Sequence, residues 1–231
     1  MAAISISRSL RVLAHLLAYP TPALRQHLPE LRRALIDEAA VRGRRLDELT
    51  AFVDALDRLP ALDAEAAYVE LFDRGRATSL HLFEHVHGDS RDRGPAMIDL
   101  AKTYEQRGMY LASGEMPDYL PTVLEFASTQ STEVAREFLA EMTHILQAIF
   151  SALAKRQSAY ASVLGALIEL SGGRAERVDV AADPALDETW EEPLAFGGCS
   201  TSGQSRPGAP QPVQLVRNYH QSSTRSSGAS A

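Results

Sequence analysis

From Leu10 to Ile168, apolar residues recur at spacings of three and four, and prolines or glycines break the rhythm at intervals under twenty residues as far as Pro121 and not again before Gly165. This pattern restricts the fold more than any other property of the chain. Leu10, Leu13 and Leu17 mark a helix over Ser9–Tyr19 that Pro20 ends. Thr21-Pro22 reads as a helix start, a capping hydroxyl followed by a proline whose missing N–H costs nothing there. Leu24, Leu28, Leu31 and Leu35 continue one face, and Pro29 is expected to split it in two. Leu49, Phe52, Val53 and Leu56 form the next stripe, closed by Pro60. Asp63 is expected to cap a helix bearing Tyr68, Leu71 and Phe72, and Arg74–Ser79 reads as a polar connector.

The middle of the chain is less regular. The apolar residues of Leu80–His87 fit neither the helical nor the strand period, whereas Pro95–Arg107 is helical and Gly108 stops it. Asp118 is expected to cap a helix that runs to about Ser128, with Pro121 in its first turn. Val134, Phe138, Met142, Ile145, Ile149 and Leu153 predict one helix over Thr132–Lys155, whose 24 residues would span roughly 36 Å. Tyr160, Val163, Leu164, Leu167 and Ile168 supply a last helix, stopped at Ser171-Gly172-Gly173. The fold class expected is all-α: a single helical-bundle domain over 1–172.

Beyond that point the composition changes. Asp179–Glu192 holds six acids and no base, and residues 173–196 read as an acidic linker that Trp190, Leu194 and Phe196 can anchor to the bundle. Residues 197–231 include 16 Gly, Pro or Ser in 35 positions. A segment so poor in apolar side chains cannot offset its ordering entropy, so a disordered tail is expected.

A net charge of −7 argues against binding duplex nucleic acid. The single cysteine, Cys199, excludes an internal disulfide framework and a cysteine-rich zinc site. Met1–Ser9 lacks the signature of a signal peptide, and no apolar run reaches a bilayer-spanning length. A cytoplasmic location is therefore expected.

Three constellations carry chemistry. His81 and His85 would share a face at i and i+4 if both lay on a helix, with Glu84 and His87 beside them; this opens a metal-dependent enzyme as one reading. The spacing is not H-E-x-x-H, and a hydrogen-bonded polar turn accounts for it as well. Gly88–Gly94 places Arg91 and Arg93 where a ligand carboxylate or phosphate could be held bidentately, and equally where local Arg–Asp pairs could form at a helix start. Met116–Pro121 sets Asp118, Tyr119 and Leu120 between two prolines, a stiff segment suited either to docking or to a rigid corner. A structural helical adaptor is the remaining alternative.

Two long runs, Tyr68–Gly94 and Glu115–Phe126, resemble the signature of the NarJ family of nitrate reductase molybdenum cofactor assembly chaperones. The likeness extends in layout over about Leu10–Ser171. It implies the all-helical fold of redox-enzyme maturation chaperones and no catalytic activity. It also implies a client, the N-terminal peptide of the catalytic α subunit of respiratory nitrate reductase, kept competent for cofactor insertion before membrane assembly. The acidic-loop motif of that superfamily corresponds here to Asp118-Tyr119, tyrosine replacing the more usual histidine. No permanently bound cofactor is implied; transient contact with the client's molybdenum cofactor and a homodimer both stay open.

Tyr68, Phe72, Tyr119, Leu120 and Leu124 are then expected to wall an apolar groove for an amphipathic client helix. Asp118 and Glu125 would meet client arginines, and His81, His85, His87 and Arg91 complete the expected client-binding set. The histidines would tune affinity near neutral pH.

Overall fold

A computed structural model describes residues 5–88 and 90–179. The acidic stretch beyond Asp179 and the expected disordered tail lie outside the described residues. Among those described there are eleven α-helices and no β-strand.

The first helix, α1 (Ser7–Leu17), is two-faced: Leu10, Val12, Leu13, Leu16 and Leu17 are buried, while Arg8 and Arg11 are exposed. A helix of that character lays its apolar face on the core and leaves its charged stripe to solvent. It packs on α3 (Leu28–Glu38), α8 (Leu120–Ser128) and α11 (Ala161–Leu170). Its first-turn N–H groups find a partner far along the chain: the Glu38 carboxylate accepts from the amides of Arg8 at 3.0 Å and Ser9 at 2.6 Å. A carboxylate placed there also favours the helix dipole.

The expected split at Pro29 occurs. α2 (Pro22–Gln26) is capped by Thr21, whose hydroxyl accepts from Leu24 N, and α3 restarts with proline in its first turn. α4 (Gly43–Arg58) lies across α3 and α11. Arg25 on α2 terminates it, donating to the carbonyls of Leu56 at 2.8 Å and of Leu59.

α5 (Ala61–Tyr68) begins after Pro60, and Asp63 lies inside its first turn, so Asp63 does not cap it as expected. The helix then widens into one π-helical turn over Val69–Asp73, closed by Arg74 N donating to Val69 O. A 3₁₀ turn over Arg76–Thr78 and the short α6 (Leu82–Val86) follow. α7 is Arg93–Gln106.

The single long helix expected over Thr132–Lys155 is two: α9 (Thr132–Glu141) and α10 (Thr143–Lys155), joined at Met142. The stripe runs unbroken through the joint, but the two halves serve different neighbours. Phe138 packs edge-on against Phe126 of α8, while α10 packs on α11. After α11, Gly172 turns the chain at φ 91°. The segment that follows lies along α10: Glu176 N donates to Gln147 Oε1 and Val178 N to Ser151 Oγ.

Candidate functional site

The two runs singled out in the sequence meet. An isolated antiparallel bridge pairs His81 with Tyr119: Leu82 N donates to Asp118 O at 3.0 Å and Leu120 N to Leu80 O at 2.8 Å. Asp118 is fully buried. It is not the local cap of α8, whose N-cap is Tyr119 without a side-chain bond. Its carboxylate turns instead to α6, accepting from Phe83 N at 3.2 Å and from His81 Nδ1 at 3.3 Å. The carbonyl and carboxylate of one residue thus satisfy the first two amides of a helix some thirty-five positions earlier. A buried carboxylate needs such compensation. Arg93, the first residue of α7, adds charge, its guanidinium 3.8 Å from Asp118 and 3.4 Å from Glu84.

Residues 117–120 are held from other directions as well. Tyr104 donates its hydroxyl to Pro117 O at 2.8 Å. Tyr68 donates to Leu17 O at 2.8 Å, so the hydroxyl of Tyr119, 3.1 Å away, is the donor to Tyr68. Tyr68 and Phe72 also pack against Tyr160 and each other, with ring centroids 4.8 to 6.3 Å apart. The π turn after Tyr68 carries Phe72 into this cluster; such turns often accompany functional sites.

Beside the bridge lies a hollow of about 460 Å³ whose lining includes Phe72, Asp73, Arg76, His81, Glu84 and Arg93. It presents both signs of charge beside the edge of an aromatic cluster. The Asp118 hydrogen bond is the main influence raising the His81 pKa above its ordinary value of 6.5. Burial and Arg93 oppose the rise, while the charges of Asp118 and Glu84 assist it. Burial raises Tyr68, Tyr119, Tyr104 and Tyr160 above an ordinary phenol, so each remains a neutral hydrogen-bonding group.

The expected client-binding residues therefore divide. Tyr68, Phe72, His81, Asp118 and Tyr119 converge, with His81 and Tyr119 half-buried and open to contact. Leu120 and Leu124 are fully buried; they support the wall from behind and offer no surface to a groove. Glu125 and Arg91 are exposed and do not line the hollow. His85 gives its Nε2 to Ser79 O at 2.9 Å, and the His87 ring packs edge-on against Phe83.

His81 precedes α6 in extended conformation, so it and His85 do not share a helix face. Among the described residues, no three of His, Cys, Asp and Glu assemble into a metal-holding group. Sequence reasoning missed Ser79 and the tie between Arg93 and Asp118. Ser79 donates its hydroxyl to Glu84 at 2.6 Å and receives His81 N at 3.2 Å. Its only sequence signal was the serine just ahead of an irregular apolar run.

Comparison with known proteins places this geometry in a family. Residues 18–164 match the model of the nitrate reductase delta subunit family. The chain is 41% identical over 205 residues to the nitrate reductase molybdenum cofactor assembly chaperone NarJ of Escherichia coli K12, covering 83% of this chain and 87% of that one. It is 40% identical over 166 residues to NarW of the same strain, covering 68% and 72%. Its fold resembles that of a crystal structure from Archaeoglobus fulgidus assigned to redox enzyme maturation, with TM-score 0.55 and 16% identity over 73% of this chain and 95% of that one. The chain belongs to the nitrate reductase delta subunit family.

Proposed function

We propose that the chain is a maturation chaperone for nitrate reductase, binding the N-terminal region of the apo catalytic α subunit in the cytoplasm and performing no reaction on it. By holding that region it keeps the subunit open to molybdenum cofactor insertion. The names of the E. coli relatives support nitrate reductase as the enzyme served. The observation carrying the site assignment is the convergence of Tyr68, His81 and Tyr119 at the edge of a hollow lined by charges of both signs.

A client segment entering as an amphipathic helix would lay its apolar face on Tyr119, which the buried cluster of Tyr68, Phe72 and Tyr160 supports from behind. Its basic groups would meet Asp73 and Glu84, and its acidic groups Arg93 and His81. Arg91 and Glu125 serve parts of the client that reach past the hollow. The net charge of −7 favours encounter with a basic peptide. A chaperone must also release its client, which suits an affinity of about −8 to −12 kcal/mol.

Calorimetric titration of the full chain with the N-terminal peptide of the α subunit tests the reading. Tyr119→Ala and Glu84→Lys should each weaken binding about tenfold with the far-ultraviolet circular dichroism unchanged. If both variants bind like the parent, the site lies elsewhere.

A further inference from the structure

A second groove, of about 1000 Å³, lies between α4, α10 and α11. Its chemistry differs from that of the hollow beside Tyr119. Phe52, Ala55, Phe150 and Ala154 contribute to an apolar floor, and the alanines leave room between the helices. Four arginines, Arg42, Arg44, Arg45 and Arg177, line it against two glutamates, Glu48 and Glu169. The groove is thus a positive patch on a chain whose net charge is −7.

The four arginines are not equivalent. Arg45 is largely buried and already neutralised, bridging Glu48 at 2.6 Å and Glu169 at 3.0 Å. Gly165 permits this placement, since a Cβ there would come within 2.6 Å of the Arg45 guanidinium carbon. Arg44 is 92% exposed and pairs with Glu48 on the surface, an interaction worth only about 0–1 kcal/mol and easily exchanged. Arg42 donates its Nε to Ala39 O, and neither Arg42 nor Arg177 has a carboxylate partner among the described residues. A basic segment would set like charges against these groups. An acidic one would find guanidinium forks suited to carboxylates above a floor that rewards apolar contact.

We propose that this groove docks an acidic amphipathic segment of a partner protein, its apolar face on Phe52, Ala55, Phe150 and Ala154 and its carboxylates on Arg42, Arg44 and Arg177. The proposal is independent of the client site, whose charged residues are different.

The test is fluorescence polarisation of the full chain with a labelled helical peptide of about four turns, leucines along one face and glutamates flanking them. A twin with lysines replaces it in a second arm. The acidic probe should bind about tenfold tighter than the lysine twin. Arg42→Glu with Arg177→Glu should reverse that order, and Arg42→Gln with Arg177→Gln should abolish it. Amide shifts on binding should map to Ala55 and Ala154. Equal binding of the twins, indifference to both double variants, or shifts confined to other helices would overturn the proposal. So would a dimer that the charge reversal splits, which would make a second copy the occupant. A full chain with Asp183, Asp187, Glu188, Glu191 and Glu192 neutralised that binds the probe about tenfold tighter would identify the chain's own acidic stretch as the occupant, and that too would overturn it.

Discussion

The hydroxyl oxygens of Tyr68 and Tyr119 lie 3.1 Å apart across 51 residues of chain, and the proton between them belongs to Tyr119 because Tyr68 donates its own to Leu17 O at 2.8 Å. Three segments thereby share one hydrogen-bonded chain: the end of α1, the end of α5 and the turn before α8. The direction of those bonds ranks the substitutions. Tyr119→Phe removes a donor and leaves the Tyr68 oxygen one partner short, costing about 1 kcal/mol. Tyr68→Phe removes the group satisfying a carbonyl at a buried helix end, costing about 1–3 kcal/mol. Urea denaturation of the two variants should show the lower midpoint for Tyr68→Phe, with the slope unchanged.

Asp118 should be the most sensitive position of the site. Asp118→Ala strands Phe83 N and leaves His81 and Arg93 facing a void, which by analogy with broken buried ion pairs costs about 3 kcal/mol. Hydrogen exchange provides a local readout. The amide of Phe83 should lose protection beyond the global loss, while that of Leu82, which bonds to the Asp118 backbone carbonyl, should lose less.

Stability should fall as pH rises above the ordinary histidine value of 6.5. The proton on His81 is held more tightly in the folded chain than in the unfolded one, because Asp118 accepts its hydrogen bond. Its stabilising contribution is therefore fully present below the unfolded value of 6.5 and is lost as pH passes through the higher folded value. Melting temperatures taken from about pH 6 to about pH 8 should decline more steeply for the parent than for His81→Gln. Equal slopes would show that the imidazole does not titrate in this window.

Arg25 holds the C-terminus of α4 through main-chain carbonyls of Leu56 and Leu59. Arg25→Met keeps the aliphatic stem and removes the donors, so about 1.5–3 kcal/mol of charged hydrogen bonding is at stake. Because the carbonyls sit at a helix end partly open to water, the loss should fall at the lower limit. Thermal unfolding of the variant checks it, with Arg25→Lys, a single charge without the fork, expected to recover part of the difference.

Much of the fold was readable because it is local. The leucines of α1 announce a buried helix by spacing, Thr21-Pro22 announces a start, and Pro29 a break, since each acts through residues within one turn. The break at Met142 was not readable. The stripe from Val134 to Leu153 keeps phase across it, and only the separate demands of Phe126 on α9 and of α11 on α10 divide the helix. Leu120 and Leu124 carried the same ambiguity. Their spacing says that they are buried against something, and the structure assigns them to the core.

The identity of the candidate site followed the same division. Sequence alone determined that the chain is helical and that 68–94 and 115–126 hold its distinctive chemistry, but it assigned Asp118 to the cap of α8, which the structure does not bear out. An aspartate before a helical stripe looks the same whether its carboxylate serves the helix after it or one from thirty-five residues earlier. Tertiary structure decided for the earlier one, because burying Asp118 required partners that His81, Phe83 and Arg93 supply and that the first turn of α8 does not. Hydrophobic period and capping chemistry act over a few residues and are written in the local sequence; the pairing of a buried charge depends on which distant segments the packed core brings together.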